Sequence, residues 1–411
     1  MTRTTPNLPA YALFAATIAA AGLPIYIHAP KFFVDEYGVS LAALGVVLGL
    51  LRLIDFVQDP ILGWMSEAFQ AHRALAVALG GLAMALAMVG LFAVEPPVAP
   101  LLWFALTLTV LFSGFSFLTI NFYAQGVRTA EALGQKGHVR LATWRETGSL
   151  IGVSLAAVAP TALGLITGAP FAVFAAGFAL SVVLALFFMR QEWWAADAAT
   201  EASGFRDVLA DKTARRLLLI ALVNATPVAV SSTLFLFFVE SRLDAAGWEG
   251  PLLLLFFLAA AASAPVWGRV AARYGMRPAL LAGMVLAIIS FGFAVLLGPG
   301  DAAAFAVICV ASGAALGADL TLLPAIFARH MARVAPRAGQ AFGLWAFVSK
   351  ATLAIAAFTL LPVLDLAGFV AGANNSPASA LTVLTLLYAV VPCVLKLVAV
   401  GLLLTTPLEE D

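Results

Sequence analysis

Long apolar segments alternate with short polar connections along the whole chain. Twelve of these segments reach the roughly 20 residues that an α-helix needs to cross the hydrocarbon core of a bilayer. The pattern therefore predicts an all-α membrane protein with twelve transmembrane helices. The approximate ranges of the predicted helices are 10–33, 40–65, 74–94, 99–127, 140–163, 168–189, 215–239, 250–272, 278–298, 302–328, 339–364 and 379–406.

The longest polar connection, residues 191–216, separates the first six predicted helices from the last six. A short internal similarity supports the division, because DPILGWMSEAFQAHRAL (59–75) and APVWGRVAARYGMRPAL (264–280) share Pro, Gly and a closing Ala-Leu at a constant offset of 205 residues. Two parallel six-helix repeats around a central site are an architecture of secondary transporters. The predicted parts are an N-terminal bundle, 1–190, a cytoplasmic linker, 191–214, and a C-terminal bundle, 215–411.

Composition supports a membrane setting. Hydrophobic residues make up 63% of the 411 residues and charged residues 11%, whereas soluble domains carry about 25% charged residues. Acidic and basic residues number 22 each, and this neutral balance argues against a nucleic-acid partner. We expect a monomer that is surrounded by membrane lipid and that binds a small-molecule solute.

No motif in the sequence indicates catalysis. Cys309 and Cys393 lie in separate apolar segments, which gives neither a disulfide framework nor a metal-ligand spacing. A Gly-rich phosphate loop is also missing from the sequence, which disfavours ATP-driven transport. We therefore predict that the protein is not an enzyme and needs no cofactor other than a coupling ion, H⁺ or Na⁺.

Basic residues are distributed unevenly between the two sides of the predicted membrane. With the N-terminus in the cytoplasm, sixteen of the 22 Lys and Arg residues lie on the cytoplasmic side, two lie opposite and four lie within predicted helices. Cytoplasmic loops of membrane proteins carry an excess of Lys and Arg. We expect a multi-pass protein of the inner (plasma) membrane with both termini in the cytoplasm.

A charged stripe interrupts the second predicted helix, in the segment RLIDFVQDPILGW. Arg52, Asp55 and Asp59 are spaced i, i+3 and i+7, which places them on one helix face. A structural ion pair would account for Arg52 and one aspartate only. Two carboxylates on one face repel each other unless a proton or cation lies between them. We favour a coupling-ion site, with Na⁺ as one possible occupant of Asp55 and Asp59.

Other predicted helices also carry charges, and ionisable groups inside a membrane are generally functional. Lys350 lies in the middle of a predicted helix, and Asp319 and the adjacent pair Arg145–Glu146 lie in two others. Arg145 and Glu146 are also compatible with an anchor at the membrane interface. Whether Lys396, in the last predicted helix, faces a central cavity stays open.

Several segments resemble, in order along nearly the whole chain, those of a known family. This is the glycoside–pentoside–hexuronide:cation symporter family, which includes melibiose permease, within the major facilitator superfamily. The resemblance implies the major facilitator fold of two six-helix pseudo-repeats. The matching segments are FFVDEYGVSLAALG, RLIDFVQDPILGW, HVRLATWRETGSLIG, GAALGADLTLLPAIFA, AFGLWAFVSKATLAIAAF and LLYAVVPCVLKLVAV.

The resemblance implies two groups of site residues. In this family, helix-2 carboxylates bind the coupling cation near a helix-11 lysine, while a helix-5 arginine and an aromatic ring line the sugar cavity. The expected coupling group is Asp55, Asp59 and Lys350, with Arg52 from the same helix face. The expected substrate-binding group is Arg145, Tyr123, Thr119, Trp345 and Asp319.

Two departures from the family pattern change the expected cargo. The helix-1 acid that binds sugar hydroxyls would fall near Ala19, and the helix-4 acid that serves sugar and sodium would fall near Thr119. Without the second acid, sodium loses one of the several oxygen ligands that a hard cation prefers. A proton needs only one carboxylate, so we favour proton coupling over sodium coupling.

We therefore expect a secondary active transporter that couples a cation to the symport of a small polar organic solute, such as a sugar, glycoside or sugar acid. One alternative is a carrier of a lysolipid or another amphiphile, which the replacement of two acids by Ala19 and Thr119 would suit. Another alternative is a receptor or assembly factor that transports nothing. Uptake of a solute driven by an ion gradient separates the transporters from this last class.

The uneven distribution of basic residues makes a direct prediction. We expect reporter fusions at Asp411 and within residues 197–204 to lie in the cytoplasm, because the positive loops fix the orientation of the predicted helices. This location is measured with two reporters, each of which is fluorescent or enzymatically active on just one side of the membrane. A periplasmic signal at either position would contradict the twelve-helix topology.

Overall fold

The computed structural model describes residues 6–134, 136–193, 204–335, 337–369 and 377–408, and these residues form helices joined by short connections, with no β-strand among them. The fold is all-α, as predicted. The reporter position Asp411 and most of 197–204 lie outside the described residues. The first seven helices are α1 (Leu8–Ala20), α2 (Leu23–Tyr37), α3 (Leu41–Ala68), α4 (Arg73–Ala93), α5 (Pro100–Ala132), α6 (Gly137–Gly164) and α7 (Pro170–Met189).

Eight further helices follow the connection after α7. Two of them continue through a π-helical turn, Phe238–Arg242 after α9 and Leu386–Val390 after α14. The helices are α8 (Phe205–Ala210), α9 (Lys212–Phe237), α10 (Glu249–Tyr274), α11 (Met276–Gly292), α12 (Ala302–Val334), α13 (Gly339–Leu366), α14 (Ala378–Thr385) and α15 (Val391–Leu404).

Each of the twelve predicted transmembrane segments corresponds to one helix or to consecutive helices. The first segment is divided into α1 and α2, because Gly22 has φ −87° and ψ −120°, outside the helical region. The last segment combines α14, its π-helical turn and α15. Within the described residues, nine helices are long and apolar enough to cross a membrane, which makes this a multi-pass membrane protein.

The chain forms two compact units. Unit 1 contains residues 1–208 and 328–347, and unit 2 contains residues 209–327 and 348–411, so α12 and α13 contribute to both. Because residues 194–203 lie outside the described residues, the predicted linker, 191–214, stays a prediction, as do the bundle boundaries beside it.

Aromatic rings fill the interior of each unit. In unit 1, Phe33 packs against Phe104 with ring centroids 5.0 Å apart. In unit 2, Phe238 stacks on Tyr388 at 4.1 Å and an interplanar angle of 12°, and Phe305 packs beside them at 5.5 Å from Phe238. Such ring contacts contribute beyond the burial of apolar area.

Helices α1 and α6 approach each other closely through small residues. A Cβ atom added to Gly148 would lie 2.1 Å from the carbonyl oxygen of Ala12, and one added to Gly152 would lie 2.2 Å from that of Ala16. Small residues four positions apart let two helix backbones meet in a membrane, where apolar burial does little to hold helices together. This contact fixes the position of α6, which carries Arg145.

A second close contact, within unit 1, brings the backbone of α3 against the first turns of α13. A Cβ atom on Gly63 would lie 2.9 Å from the carbonyl oxygen of Gly339, and one on Gly343 would lie 2.9 Å from that of Asp59. Beside this contact, the Glu67 carboxylate accepts hydrogen bonds from the backbone and side chain of Gln340, at 2.9 and 3.1 Å. The contact therefore restrains the part of α3 that carries Asp59.

The close packing of α1 on α6 leads to a stability prediction. We expect Gly148→Ala to lower the free energy of unfolding by about 1 to 3 kcal/mol, because its methyl group would overlap the Ala12 carbonyl. Thermal unfolding of the purified protein in one detergent measures the change. The matched control is Gly177→Ala on α7, where an added Cβ meets nothing within 4 Å. An equal response of both variants would contradict the close-packing explanation.

Candidate functional site

Both aspartates of the charged stripe are buried on α3, as 4% of Asp55 and none of Asp59 is exposed. The Gln58 side chain donates a hydrogen bond of 2.7 Å to Asp55 Oδ1, and Ser113 Oγ on α5 donates one of 2.9 Å to Gln58 Oε1. Gln58 therefore connects the Asp55 carboxylate to α5. Two buried carboxylates one helical turn apart favour the uptake of a proton or a cation.

The structure gives less detail for Arg52 and Lys350, the other two members of the expected coupling group. The side chain of Arg52 lies outside the described part of the structure, although its backbone is helical. Lys350 is half-buried on the part of α13 that belongs to unit 2. Its approach to Asp55 and Asp59 stays a prediction.

Arg145, Glu146 and Tyr123 form a compact cluster in unit 1, in which Arg145 and Glu146 are buried and Tyr123 is partly buried. Arg145 Nε donates to Glu146 Oε1 at 2.7 Å, and the Tyr123 hydroxyl donates to the same oxygen at 3.0 Å. The Arg145 guanidinium also lies 3.7 Å from the centroid of the Tyr123 ring, in cation–π contact. One guanidinium thus contacts both a carboxylate and an aromatic face.

The cluster does not have the geometry of an interfacial anchor. An anchoring arginine extends its head group into water, whereas Arg145 and Glu146 are each only 5% exposed. Within the described residues, Arg145 Nη2 is buried and has no hydrogen-bond partner. Since buried donors nearly always have a partner, this nitrogen is a suitable donor for an oxygen of a bound solute.

Two other expected substrate-binding residues of unit 1 are half-buried. The Thr119 hydroxyl on α5 donates a hydrogen bond of 2.7 Å to the carbonyl oxygen of Phe115, and the hydroxyl oxygen can still accept a hydrogen bond. Trp345 lies near the start of α13, in the segment that belongs to unit 1.

A second buried charge cluster lies in unit 2. Lys396 on α15 forms an ion pair with Asp319 Oδ2 on α12, and its ammonium group donates a 2.7 Å hydrogen bond to Asn224 Oδ1 on α9. Asp319 is 7% exposed and Lys396 3% exposed. Both residues line one cavity within unit 2.

Sequence reasoning missed two polar residues of these clusters. Gln58 lies between the two aspartates of the stripe, and Asn224 lies in the apolar segment LVNATPVAV. An amide in the middle of a predicted membrane helix is a signal for both, because buried amides require partners. Within the described residues, no group of three or more His, Cys, Asp or Glu side chains has the geometry of a metal site.

Comparisons with known proteins agree with the observed fold. A family model described as MFS/sugar transport protein matches residues 9–410. Two similar solved structures are crystal structures of a bacterial homologue of the iron transporter ferroportin in the outward-facing state, the second with soaked iron. They share 14% and 13% sequence identity with this chain, and both comparisons cover 97% of this chain and 99% of the other with a TM-score of 0.73. No curated protein matches this sequence.

At 13% to 14% identity the two structural likenesses show a shared fold and nothing further. The family match spans nearly the entire chain and is the stronger finding.

The Arg145 cluster leads to a prediction about stability and binding. Removing one member leaves a buried charge without its counterion, so we expect Arg145→Met and Glu146→Leu each to destabilise the fold by about 3 to 5 kcal/mol. The double variant Arg145→Met/Glu146→Leu should retain most of the stability and lose solute binding. Thermal unfolding measures the first effect and ligand-induced stabilisation the second.

A double variant as unstable as the less stable single variant would contradict a coupled ion pair. Unchanged solute binding in a folded double variant would contradict the role of Arg145 in recognition.

Proposed function

We propose that this chain, which belongs to the family of MFS/sugar transport proteins, is a secondary transporter that couples a cation to the symport of a small polar organic solute. A sugar, glycoside or sugar acid is the proposed class of cargo. The observation that carries the proposal is the pair of buried carboxylates, Asp55 and Asp59, on one helix of a transporter fold. The resemblance to the glycoside–pentoside–hexuronide:cation symporters supports the same roles.

A proton is the proposed coupling ion. One hydrogen-bond partner of Asp55 Oδ1 is the side-chain nitrogen of Gln58, a donor that cannot itself coordinate a cation. Thr119 stands near the position of a family acid and donates its hydroxyl hydrogen bond to the Phe115 carbonyl oxygen. Sodium prefers several oxygen ligands, whereas one carboxylate of suitable pKa can carry a proton.

Solute recognition is proposed to involve Arg145. Its buried Nη2 donor is available for a carboxylate or hydroxyl oxygen, and guanidinium groups bind such oxygens with defined geometry. Tyr123 presents an aromatic ring under this guanidinium, and ring faces pack on the apolar faces of sugars, so a sugar reaches the covered face when Arg145 turns from the ring toward the solute. The combination suits a sugar acid particularly well.

Coupling follows from a change in charge on α3. Protonation removes one negative charge from the buried pair, so the conformation that is preferred by the empty protein need not be preferred by the loaded one. A symporter works when the change of access occurs with both ion and solute bound or with neither bound. We propose that Asp55 and Asp59 supply the proton-dependent part of this preference.

The proposal is tested by transport in proteoliposomes. A thermal-shift screen against sugars, glycosides and uronates first selects a solute, because a ligand that binds the native state raises its stability. One pH unit across the membrane supports an accumulation of about tenfold for one proton per solute. We expect Asp55→Asn and Asp59→Asn to reduce this ratio to about one while solute exchange survives.

The matched control is Asp35→Asn, since Asp35 is exposed and pairs with Lys31 on the preceding turn of α2. This variant should accumulate solute like the unaltered protein. Accumulation by the double variant Asp55→Asn/Asp59→Asn would contradict the proposed coupling role. Solute accumulation that depends on an imposed sodium gradient, and not on the pH gradient, would identify sodium as the coupling ion in place of the proton.

A further inference from the structure

A cavity opens into unit 2 beside the Asp319–Lys396 ion pair. It comprises about 440 Å³ of space between protein atoms, a volume that includes space open to the surface. Helices α9, α10, α11, α12 and α15 contribute its walls, and apart from the ion pair these walls are mostly apolar. The larger apolar side chains of the wall are Val228, Phe256, Ile288, Phe291 and Leu316.

One carboxylate oxygen in this cavity is left without a partner. Asp319 Oδ2 binds the Lys396 ammonium group, while Oδ1 is buried with no hydrogen-bond partner in the described structure. The Lys396 ammonium group also donates a hydrogen bond to Asn224 Oδ1. A buried acceptor without a partner is costly and uncommon. The unsatisfied oxygen therefore points to a binding event that supplies a proton or a donor.

Charge balance restricts what can bind. The ion pair is neutral, so a proton added to Asp319 alone would leave a net positive charge in an apolar cavity. An organic anion bound to Lys396 alone would leave a net negative charge. Uncompensated charges are strongly disfavoured in such surroundings. A proton and a monoanion that bind together keep the cavity neutral and satisfy both partners.

We propose that this cavity binds a small organic monocarboxylate together with one proton. The proton bonds to Asp319 Oδ1, the Asp319–Lys396 ion pair opens, and the carboxylate of the ligand takes the place of Asp319 beside Lys396. The apolar part of the ligand packs on the wall formed by Phe256 and Phe291. The inference rests on the proposed transport function and adds to it a substrate class and a second proton site.

Other titratable groups near the pair are few. Among the described residues that line the cavity, α15 contributes the Cys393 thiol, which donates to the Ile288 carbonyl oxygen at 3.5 Å. The walls from α9, α10 and α11 contribute neutral residues. Asp319 is therefore the acid of this cavity that can take up a proton when Lys396 exchanges its partner.

The test is calorimetric titration of the purified full chain with hexanoate, using the neutral hexanamide as the matched ligand. Repeating the titration in buffers of different ionisation enthalpy counts the protons taken up per ligand. We expect about one proton per hexanoate and none per hexanamide. Between pH 6 and 8 the dissociation constant of hexanoate should rise about tenfold per pH unit, because the binding-competent protonated form becomes rarer.

Two variants separate the roles of the pair. Asp319→Asn imitates the protonated carboxyl, so it should bind hexanoate without proton uptake and with an affinity that no longer depends on pH. Asp319→Asn/Lys396→Met carries no charge, is expected to fold because both partners of the ion pair are gone, and should not bind hexanoate. Lys31→Met/Asp35→Asn removes an exposed ion pair and should leave binding unchanged.

Native cysteines report the location of binding. Hexanoate should slow the alkylation of Cys393 by N-ethylmaleimide, since Cys393 lines the cavity, and should leave the labelling of the buried Cys309 unaffected. Hexanoate binding without proton uptake, or no binding at all, would overturn the inference. If a screened sugar is still accumulated in that case, the proposed transport function is retained and only the monocarboxylate site is rejected. If hexanoate binds with proton uptake but no screened solute is taken up in response to a gradient, the proposed binding site is supported and the proposed symport function is contradicted.

Discussion

The need of every buried charge for an opposite charge governs this structure. An apolar interior that is surrounded by lipid makes an isolated ion very costly. Away from the ends of the predicted membrane helices, the charged residues balance as four basic and four acidic groups. Two ion pairs form between these groups, Arg145–Glu146 within unit 1 and Asp319–Lys396 within unit 2. In the proposed transport cycle, the solute and the coupling ion would act by exchanging partners within this neutral set, and each exchange would favour a different arrangement of side chains. The basic members are Arg52, Arg145, Lys350 and Lys396, and the acidic members are Asp55, Asp59, Glu146 and Asp319.

Close packing of small residues supplies the rigidity against which these charges are placed. Within a membrane, apolar surface gains little from leaving lipid for protein, so helices associate through intimate contact and hydrogen bonds. Gly148 and Gly152 bring α6 onto α1, and Gly343 brings the start of α13 onto the carbonyl oxygen of Asp59. The charged side chains therefore lie on helices whose spacing is set by nearby glycines, because a residue with a side chain would not fit at those contacts.

The fold could be predicted from the sequence because bilayer thickness sets the length of each apolar segment, and the twelve segments are clear. The break between α1 and α2 at Gly22 could not, since apolar residues continue through it. Periodicity placed Asp55 and Asp59 on one helix face, which is local information. The contact of Asn224 with Lys396 joins residues 172 positions apart, and no local pattern encodes it. Likewise, the contact of Arg145 with the Tyr123 ring depends on how α5 and α6 pack.

The guanidinium that covers the Tyr123 ring acts as an internal competitor. A ring face accommodates one partner at a time, so any molecule that stacks on that face must first displace Arg145 from its position 3.7 Å away. Displacement also stretches the bond from Arg145 to Glu146, unless the incoming molecule brings a negative group of its own. A ligand ring with a negative group would then be favoured over an uncharged ring, because displacing Arg145 costs less when that group replaces Glu146. This selectivity needs no additional contact to the preferred molecule.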